Sequence, residues 1–196
     1  MMASGPGLLV LVVGPSGVGK DTLIEGARLI LEPLGAHFPH RDITRAASAG
    51  GEAHVAVSDA EFEARRARGD YAFWWRAHGL AYGVRAEDLA PIASGCTVVV
   101  NVSRSVLEEA RARYPRHLVV LVTADPEKIR ERLVRRGRET PQEIEERVGR
   151  AGAFKVAGGD VATVLNDGAP QDGVDAFIQR LANAGAREAV AAVLGA

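Results

Sequence analysis

The sequence predicts an α/β fold in which a parallel sheet is covered by helices on both faces. Short apolar runs rich in β-branched residues alternate along the chain with helical segments, and such runs are typical of strands buried on both faces. The chain has 196 residues, of which 47% are hydrophobic and 25% are charged. These values suit a single globular domain. Strands that alternate with helices form parallel pairs, so we expect one central sheet.

Four apolar runs predict the strands of that sheet. They span residues 8–13, 97–102, 118–122 and 161–166. Each run is short and strongly apolar, and each is followed by turn residues and then by a helical pattern. We therefore expect all four to be buried strands.

Capping signals mark where the helices between these strands begin and end. The first helix is predicted from Lys20 to Glu32, where Pro33 ends it. Asp125-Pro126 and Thr140-Pro141 each combine an N-capping side chain with a proline in the first turn, and this combination starts a helix. The last apolar residues of the chain follow a helical period and predict an amphipathic C-terminal helix.

Two segments interrupt the alternation of strands and helices. Residues 36–85 predict a strand-rich insert, which contains a helix from Ser58 to Arg68 and two strands around the turn His78-Gly79. Residues 132–150, two predicted helices rich in arginine, form a second and smaller insert. The remaining chain would form the core of the single domain, in the segments 8–35, 86–131 and 151–196.

Charge and apolar content exclude several classes of protein. Lys plus Arg is 24 and Asp plus Glu is 25, so the net charge of -1 leaves no basic excess for a nucleic-acid backbone. The apolar run Leu8–Val13 is too short to span a bilayer, and the N-terminus lacks a signal-peptide pattern. The single cysteine suits a reducing compartment. We expect a cytoplasmic protein without nucleic-acid or membrane partners, and a homodimer is compatible with this composition.

A glycine-rich segment, Gly14-Pro15-Ser16-Gly17-Val18-Gly19-Lys20, follows the first strand and opens the first helix. This is the phosphate-loop pattern in its usual structural context. Glycines let the backbone wrap around an anion, consecutive N–H groups point inward, and the helix N-terminus adds positive potential. We therefore expect a three-layer P-loop NTPase fold with ATP as co-substrate and Lys20 at the outer phosphates. A glycine-rich turn without a ligand is the alternative.

The metal-binding positions depart from the usual phosphate-loop pattern. Asp21, followed by Thr22, stands where the pattern has a serine or threonine that binds Mg²⁺. A carboxylate is a strong ligand for a hard cation, so Asp21 is a candidate Mg²⁺ ligand; alternatively it only favours the helix dipole. Asn101 ends the second strand where an acid is expected. It either orients a metal-bound water or caps the strand end.

An ordered set of motifs resembles the guanylate kinase-type nucleoside monophosphate kinases over about residues 8–168. The set comprises Gly14–Lys20, Thr44-Arg45, Gly51-Glu52, His78–Gly83, Arg136-Gly137-Arg138, Arg147 and Asn166-Asp167. The resemblance implies that the first insert binds the phosphoryl acceptor, that the arginine-rich segment covers ATP, and that Asn166 lies near adenine. The chain departs from this family at Phe73, where the family has a guanine-recognising glutamate, because a phenyl ring cannot accept hydrogen bonds from guanine.

Other motifs are similar to those of a neighbouring family, the ribose 1,5-bisphosphate phosphokinases of bacterial phosphonate degradation. They are Gly19-Lys20-Asp21, Ile43–Gly50, Trp75–Leu80 and Val100–Arg104. This resemblance implies the transfer of a phosphoryl group from ATP to ribose 1,5-bisphosphate, which gives 5-phosphoribosyl 1-diphosphate. The acceptor has no base, so a base-recognising glutamate would be useless. A nucleoside monophosphate kinase and a catalytically inactive binding module are the alternatives; the intact Lys20 argues against the second.

Phosphoryl transfer needs positioning and charge neutralisation more than covalent chemistry. Four groups of residues are expected to supply them. The catalytic group is Lys20, Arg136, Arg138 and Arg147. The nucleotide group is Gly14, Pro15, Ser16, Gly17, Val18, Gly19, Lys20, Asp21, Thr22, Arg132 and Asn166. The acceptor group is Arg41, Arg45, Ser48, Arg76, Tyr82 and Arg85, and Asp21 with Asn101 is the metal group.

Overall fold

The computed structural model describes residues 7–46, 53–137 and 139–186. Ser48 and Arg138, both predicted to be site residues, lie outside these ranges. The described elements, in chain order, are β1 (Leu9–Val13), α1 (Lys20–Leu31), β2 (Asp42–Ile43), β3 (Val55–Ala56), α2 (Asp59–Arg68), β4 (Tyr71–Ala77), β5 (Leu80–Arg85), β6 (Val98–Asn101), α3 (Leu107–Arg113), β7 (His117–Thr123), α4 (Pro126–Arg136), α5 (Pro141–Gly152), β8 (Val161–Leu165) and α6 (Pro170–Asn183).

The central sheet has the order β6-β1-β7-β8, and all its pairs are parallel. Every residue of β1 is buried. Val10 and Val12 pack into a cluster with residues of α1, α4, α5 and α6. Leu9 and Leu11 pack on the other side with α3 and the second sheet. The predicted α/β architecture with a parallel sheet covered on both faces is therefore confirmed.

The last strand, β8, differs from the prediction of a buried strand. Among the described strands it pairs with β7 alone, so it lies at the edge of the sheet. Only Val164 of its five residues is buried, and Leu165 is 63% exposed. An apolar run cannot distinguish a central strand from an edge strand, because strand order depends on the whole chain.

A second sheet, with the order β3-β2-β5-β4, stands beside the central one. Its strands β4 and β5 form an antiparallel hairpin around His78-Gly79. Both turn residues have positive φ, 53° and 74°, as a tight two-residue hairpin turn requires. Helix α2 begins after Ser58, whose side chain accepts a hydrogen bond from the Glu61 N–H.

The buried carboxylate of Asp42 holds the second sheet and α2 together. Asp42 is fully buried and accepts hydrogen bonds from Arg65 on α2, from Arg85 on β5 and from the Tyr71 hydroxyl on β4. Burial, together with the neighbouring Asp42, raises the pKa of Tyr71. The buried Asp42 carboxylate is tolerated because its oxygens accept hydrogen bonds from two guanidinium groups and one hydroxyl.

No helix in the described part of the chain is both long enough and apolar enough to cross a membrane.

Candidate active site

A cleft of about 1100 Å³ opens at the carboxyl ends of β1 and β6. In open parallel sheets, ligands bind at this end of the strands. The phosphate loop lines one end of the cleft, the β4–β5 hairpin lines the other, and the α4–α5 region covers it. The cleft is therefore large enough to hold two substrates side by side.

The phosphate loop connects β1 to α1, as predicted. Lys20 Nζ donates hydrogen bonds to the carbonyl oxygens of Gly14, at 2.7 Å, and of Pro15, at 2.9 Å. The Val18 side chain is fully buried in the core, so only its backbone can face a ligand. Gly19 has a φ of 89°, and a Cβ there would lie 2.5 Å from the Asn166 side-chain amide. Position 19 therefore requires glycine, because the backbone there is left-handed and because a side chain would collide with Asn166.

Asn166 and Arg132 hold the loop from its outer side. The buried Asn166 donates from Nδ2 to the Val18 carbonyl at 2.7 Å. Arg132 donates to the same carbonyl at 3.3 Å and to the Asn166 carbonyl at 2.7 Å. Both residues line the cleft. Their contacts with the loop backbone give them a positioning role, in addition to the predicted role in nucleotide binding.

Asp21 and Asn101 meet at the mouth of the loop. Asn101 Nδ2 donates to Asp21 Oδ1 at 2.9 Å, and both residues and Thr22 line the cleft. Across the described residues, no group of three or more His, Cys, Asp or Glu side chains could hold a cation alone. Mg²⁺ in kinases is bound by one or two protein oxygen ligands and by substrate phosphates. One carboxylate beside a phosphate loop fits that donor set.

Arginines of the arginine-rich segment 132–150 lie in the cleft with the loop. Arg136 and Arg147 line the cleft, and Arg147 Nη1 donates to Ser16 Oγ at 2.9 Å. Arg147 also pairs with Glu139 at 3.4 Å, whose side chain is only 6% exposed. Glu139 was not singled out from the sequence, although its position next to Arg138 could have drawn attention to it.

The acceptor end contains three of the residues expected there. Arg41, Arg45 and Tyr82 line the cleft. Arg45 Nη2 lies 3.3 Å from His54 Nδ1. The Tyr82 ring stacks on Trp75, a cleft residue that had no predicted role. Strand alternation could have indicated Trp75, because it lies across from Tyr82 on the neighbouring strand.

Arg76 and Arg85 are not among the described residues that line the cleft, so their role in acceptor binding stays a prediction that this geometry does not favour. Arg76 is exposed and pairs with Glu63 at 2.6 Å. Arg85 pairs with the buried Asp42 at 2.9 Å. Successive strand residues point to opposite faces, and Trp75 and Tyr82 occupy the cleft face. Arg76 follows Trp75 directly and Arg85 is three residues beyond Tyr82, so both side chains point away.

His78, in the hairpin turn, also lines the cleft. Burial lowers its pKa, and the charges of Arg147 and Arg150 lower it further. The imidazole is therefore neutral at neutral pH and adds no charge to the site.

Arg104 is another cleft residue without a predicted role. It follows β6 closely, and its guanidinium lies 4.7 Å from the centre of the Phe154 ring. Its position just after a strand end was the available signal, since such positions face ligands in parallel sheets.

The sheet and the phosphate loop define a guanylate kinase-like α/β fold of the P-loop class. The crystal structure of guanylate kinase from Anaplasma phagocytophilum superimposes with a TM-score of 0.65, over 96% of this chain and 92% of that chain, at 16% identity. A likeness at this identity shows the fold alone. No protein-family model matches the chain.

Sequence relatives narrow the assignment. The ribose 1,5-bisphosphate phosphokinase of Chromobacterium violaceum is 46% identical over 180 residues, which are 92% of this chain and 96% of that protein. The corresponding enzyme of Thiobacillus denitrificans is 43% identical over 181 residues, 92% of this chain and 95% of that protein. The chain belongs to the ribose 1,5-bisphosphate phosphokinase family. The predicted family and the prediction of a kinase are thereby confirmed.

Proposed function

We propose that this protein transfers the γ-phosphoryl group of ATP to ribose 1,5-bisphosphate. An oxygen of the sugar's 1-phosphate attacks the γ-phosphorus, the bond to the β-phosphate oxygen breaks, and ADP and 5-phosphoribosyl 1-diphosphate result. The observation that carries the proposal is family membership at 46% identity along nearly the whole chain, together with an intact phosphate loop facing an arginine-lined acceptor end.

The nucleotide end of the cleft is suited to hold a triphosphate. The loop N–H groups and Lys20 would bind the β- and γ-phosphates, while Asn166 and Arg132 keep the loop in shape. Arg147, already at Ser16 Oγ, is within reach of a phosphoryl group above the loop. With Arg136 and Arg138 it would spread the charge that develops during transfer.

Asp21 and Asn101 are the residues that would hold Mg²⁺. When bound with ATP, this ion neutralises phosphate charge that would otherwise repel the incoming acceptor. The hydrogen bond from Asn101 orients the Asp21 carboxylate, which would be the ligand.

The acceptor end is suited to a sugar with two phosphates. Arg41 and Arg45 supply cationic donors, and the Tyr82 hydroxyl supplies a neutral one. The predicted contribution of Ser48 lies outside the described residues. A phosphate oxygen is already ionised at neutral pH, so no general base is required.

A nucleoside monophosphate kinase is the main competing function, since the fold is shared with a guanylate kinase. Phe73 is fully buried in the apolar core, so it offers nothing to a base. The inactive-module alternative is disfavoured by the placement of Lys20 and Arg147 at the loop. We place the reaction in the cytoplasm with a small phosphosugar as partner; a homodimer stays a prediction.

An acceptor screen with γ-labelled ATP tests the proposal. The candidates are ribose 1,5-bisphosphate, ribose 5-phosphate, GMP, AMP and gluconate. We expect label in 5-phosphoribosyl 1-diphosphate alone, and loss of that label in Lys20→Ala. Preferential labelling of GMP or AMP would instead assign a nucleotide kinase, and absence of transfer to every acceptor would favour a binding module.

A further inference from the structure

Trp75, Tyr82 and Arg41 form one stacked unit at the acceptor end of the cleft. Trp75 and Tyr82 are cross-strand partners on β4 and β5, and their rings are parallel with centroids 5.4 Å apart. The Arg41 guanidinium carbon lies 5.6 Å from the centre of the Trp75 ring and 5.4 Å from that of Tyr82. All three line the cleft, and Trp75 and Arg41 are only 7% and 9% exposed.

This arrangement fixes the orientation of a cation. A guanidinium beside aromatic rings is attracted by their π-electrons, and its planar donor set matches the geometry of an oxyanion. Arg41 lies just before β2, in the described cleft and opposite the loop. The rings thus hold Arg41 ready for a phosphate before that phosphate arrives, which lowers the entropic cost of binding.

The same unit is poorly suited to a nucleobase. The two rings stack on each other, so these faces are not available for stacking a base. The described cleft residues on and beside β2, β4 and β5 are Arg41, Arg45, Trp75, Ala77, His78, Leu80 and Tyr82, and none of these seven is a carboxylate. The arginines only donate hydrogen bonds, which suits phosphate and hydroxyl oxygens better than the N–H groups of a base.

We propose that Trp75 determines acceptor specificity. Its indole holds Arg41 for the acceptor phosphate and fills the space that a nucleobase would need. The proposal rests on the proposed function, and it adds a residue and a physical reason for the choice of a base-free sugar phosphate.

The adjacent Trp74 provides a matched control. Trp74 is 41% exposed and lies 4.8 Å from the Arg66 guanidinium on the other face of the sheet, away from the cleft. Calorimetry would compare Trp75→Ala and Trp74→Ala for binding of ribose 1,5-bisphosphate and of GMP. Loss of the aromatic support should weaken phosphosugar binding by about 3- to 30-fold in Trp75→Ala. Trp74→Ala should match the wild type, and Trp75→Phe should recover most of the affinity.

The ratio of the affinity for ribose 1,5-bisphosphate to the affinity for GMP should also be smaller in Trp75→Ala, because the variant opens space beside Tyr82. If Trp75→Ala and Trp74→Ala had equal affinities and equal preferences, the proposal would be overturned.

Fluorescence gives a second readout that does not need the alanine variant to fold. The chain contains two tryptophans. Trp74→Phe leaves Trp75 as the sole indole, and Trp75→Phe leaves Trp74. Saturation with ribose 1,5-bisphosphate should change the emission of the first protein and not of the second. The reverse pattern, or equal responses, would contradict the proposal.

The wild-type assay separates the two proposals. The wild-type protein could turn over ribose 1,5-bisphosphate while neither Trp75→Ala nor the Trp75 emission showed any effect of Trp75. That result would reject the specificity role and leave the proposed function intact. Failure of the wild-type protein to bind the phosphosugar would overturn both.

Discussion

Asn101 donates a hydrogen bond of 2.9 Å from Nδ2 to Asp21 Oδ1, and so joins the end of β6 to the first turn of α1. In the usual P-loop arrangement a neutral hydroxyl follows the loop lysine and a carboxylate stands near the end of a neighbouring strand. Here the carboxylate and the neutral group are exchanged, and the total charge is the same. Direct contact between the two side chains makes them one unit, so their effects should be coupled.

A double-mutant cycle tests this coupling. Asp21→Ser should raise the Mg²⁺ concentration needed for half-maximal activity, because it removes the acid. Asn101→Asp should also impair turnover, since two carboxylates would then face the triphosphate. The double variant restores the usual layout and should recover part of the loss, with a coupling of about 0.5–3 kcal/mol.

The cycle also has a binding readout, the Mg²⁺ dependence of ADP affinity by calorimetry. Strictly additive losses would show that Asp21 is only a first-turn residue of α1. An Asp21→Ala protein with unchanged Mg²⁺ dependence would show the same.

Arg147 should act on turnover more than on binding. It contacts Ser16 of the loop and is proposed to neutralise charge that develops in transfer. Arg147→Ala should therefore lose about 10²- to 10⁴-fold in kcat, with a smaller change in ATP affinity. Arg147→Lys should recover only part, because an ammonium lacks the planar donor pair. A rise in the KM for the sugar alone would instead place Arg147 in acceptor binding.

Asp42 should matter for stability and not for chemistry. Asp42→Ala leaves Arg65 and Arg85 without their buried partner, so the free energy of unfolding should fall by about 3–5 kcal/mol. Arg76→Ala is the control: its exposed pair with Glu63 should contribute at most about 1 kcal/mol. Urea unfolding measures both. Equal losses would refute the structural role of Asp42.

Arg85→Ala tests the reassignment of Arg85 from the acceptor site to this network. It should lower stability and leave the KM for the phosphosugar unchanged. An increased KM in a fully folded variant would return Arg85 to the acceptor group.

His78 should titrate below its ordinary pKa of 6.5, because burial and the charges of Arg147 and Arg150 disfavour its protonated form. The unfolded chain then takes up the proton first on acidification. The free energy of unfolding should thus fall, through this residue, as the pH drops from about 6.5 past the lowered pKa. NMR titration of the His78 ring proton, assigned with His78→Asn, measures it. Arg147→Gln should raise the pKa of His78. An unchanged pKa would show that the charge of Arg147 does not act on the His78 ring.

The fold was largely predictable because its signals are local. Strand β1 is a continuous apolar run, and the helices after Asp125 and Thr140 begin at the capping residues that the sequence indicated. Burial of β8 was not predictable, since an apolar run does not show which strand lies at the edge of the sheet.

The candidate site was predictable where function depends on a contiguous motif and less so where it depends on side-chain direction. The phosphate loop is one motif, and its residues surround the cleft, apart from the buried Val18 side chain. The positions of Arg76 and Arg85 were not predictable, because arginine content indicates anion binding but not which face of a strand an arginine occupies. Their true partners, Glu63 and Asp42, are distant in sequence, so the pairs emerge only from the fold.

The ratio of kcat/KM for ribose 1,5-bisphosphate to that for GMP, measured with saturating ATP, tests the central claim most directly. Phe73 is buried, and the described cleft residues on and beside β2, β4 and β5 include no carboxylate, so this side of the cleft offers no carboxylate to the N–H groups of guanine. Loss of such a polar partner costs several orders of magnitude, so GMP should be at least about 10³-fold poorer. Comparable values for the two acceptors would contradict the assignment and indicate a nucleotide kinase on the same fold.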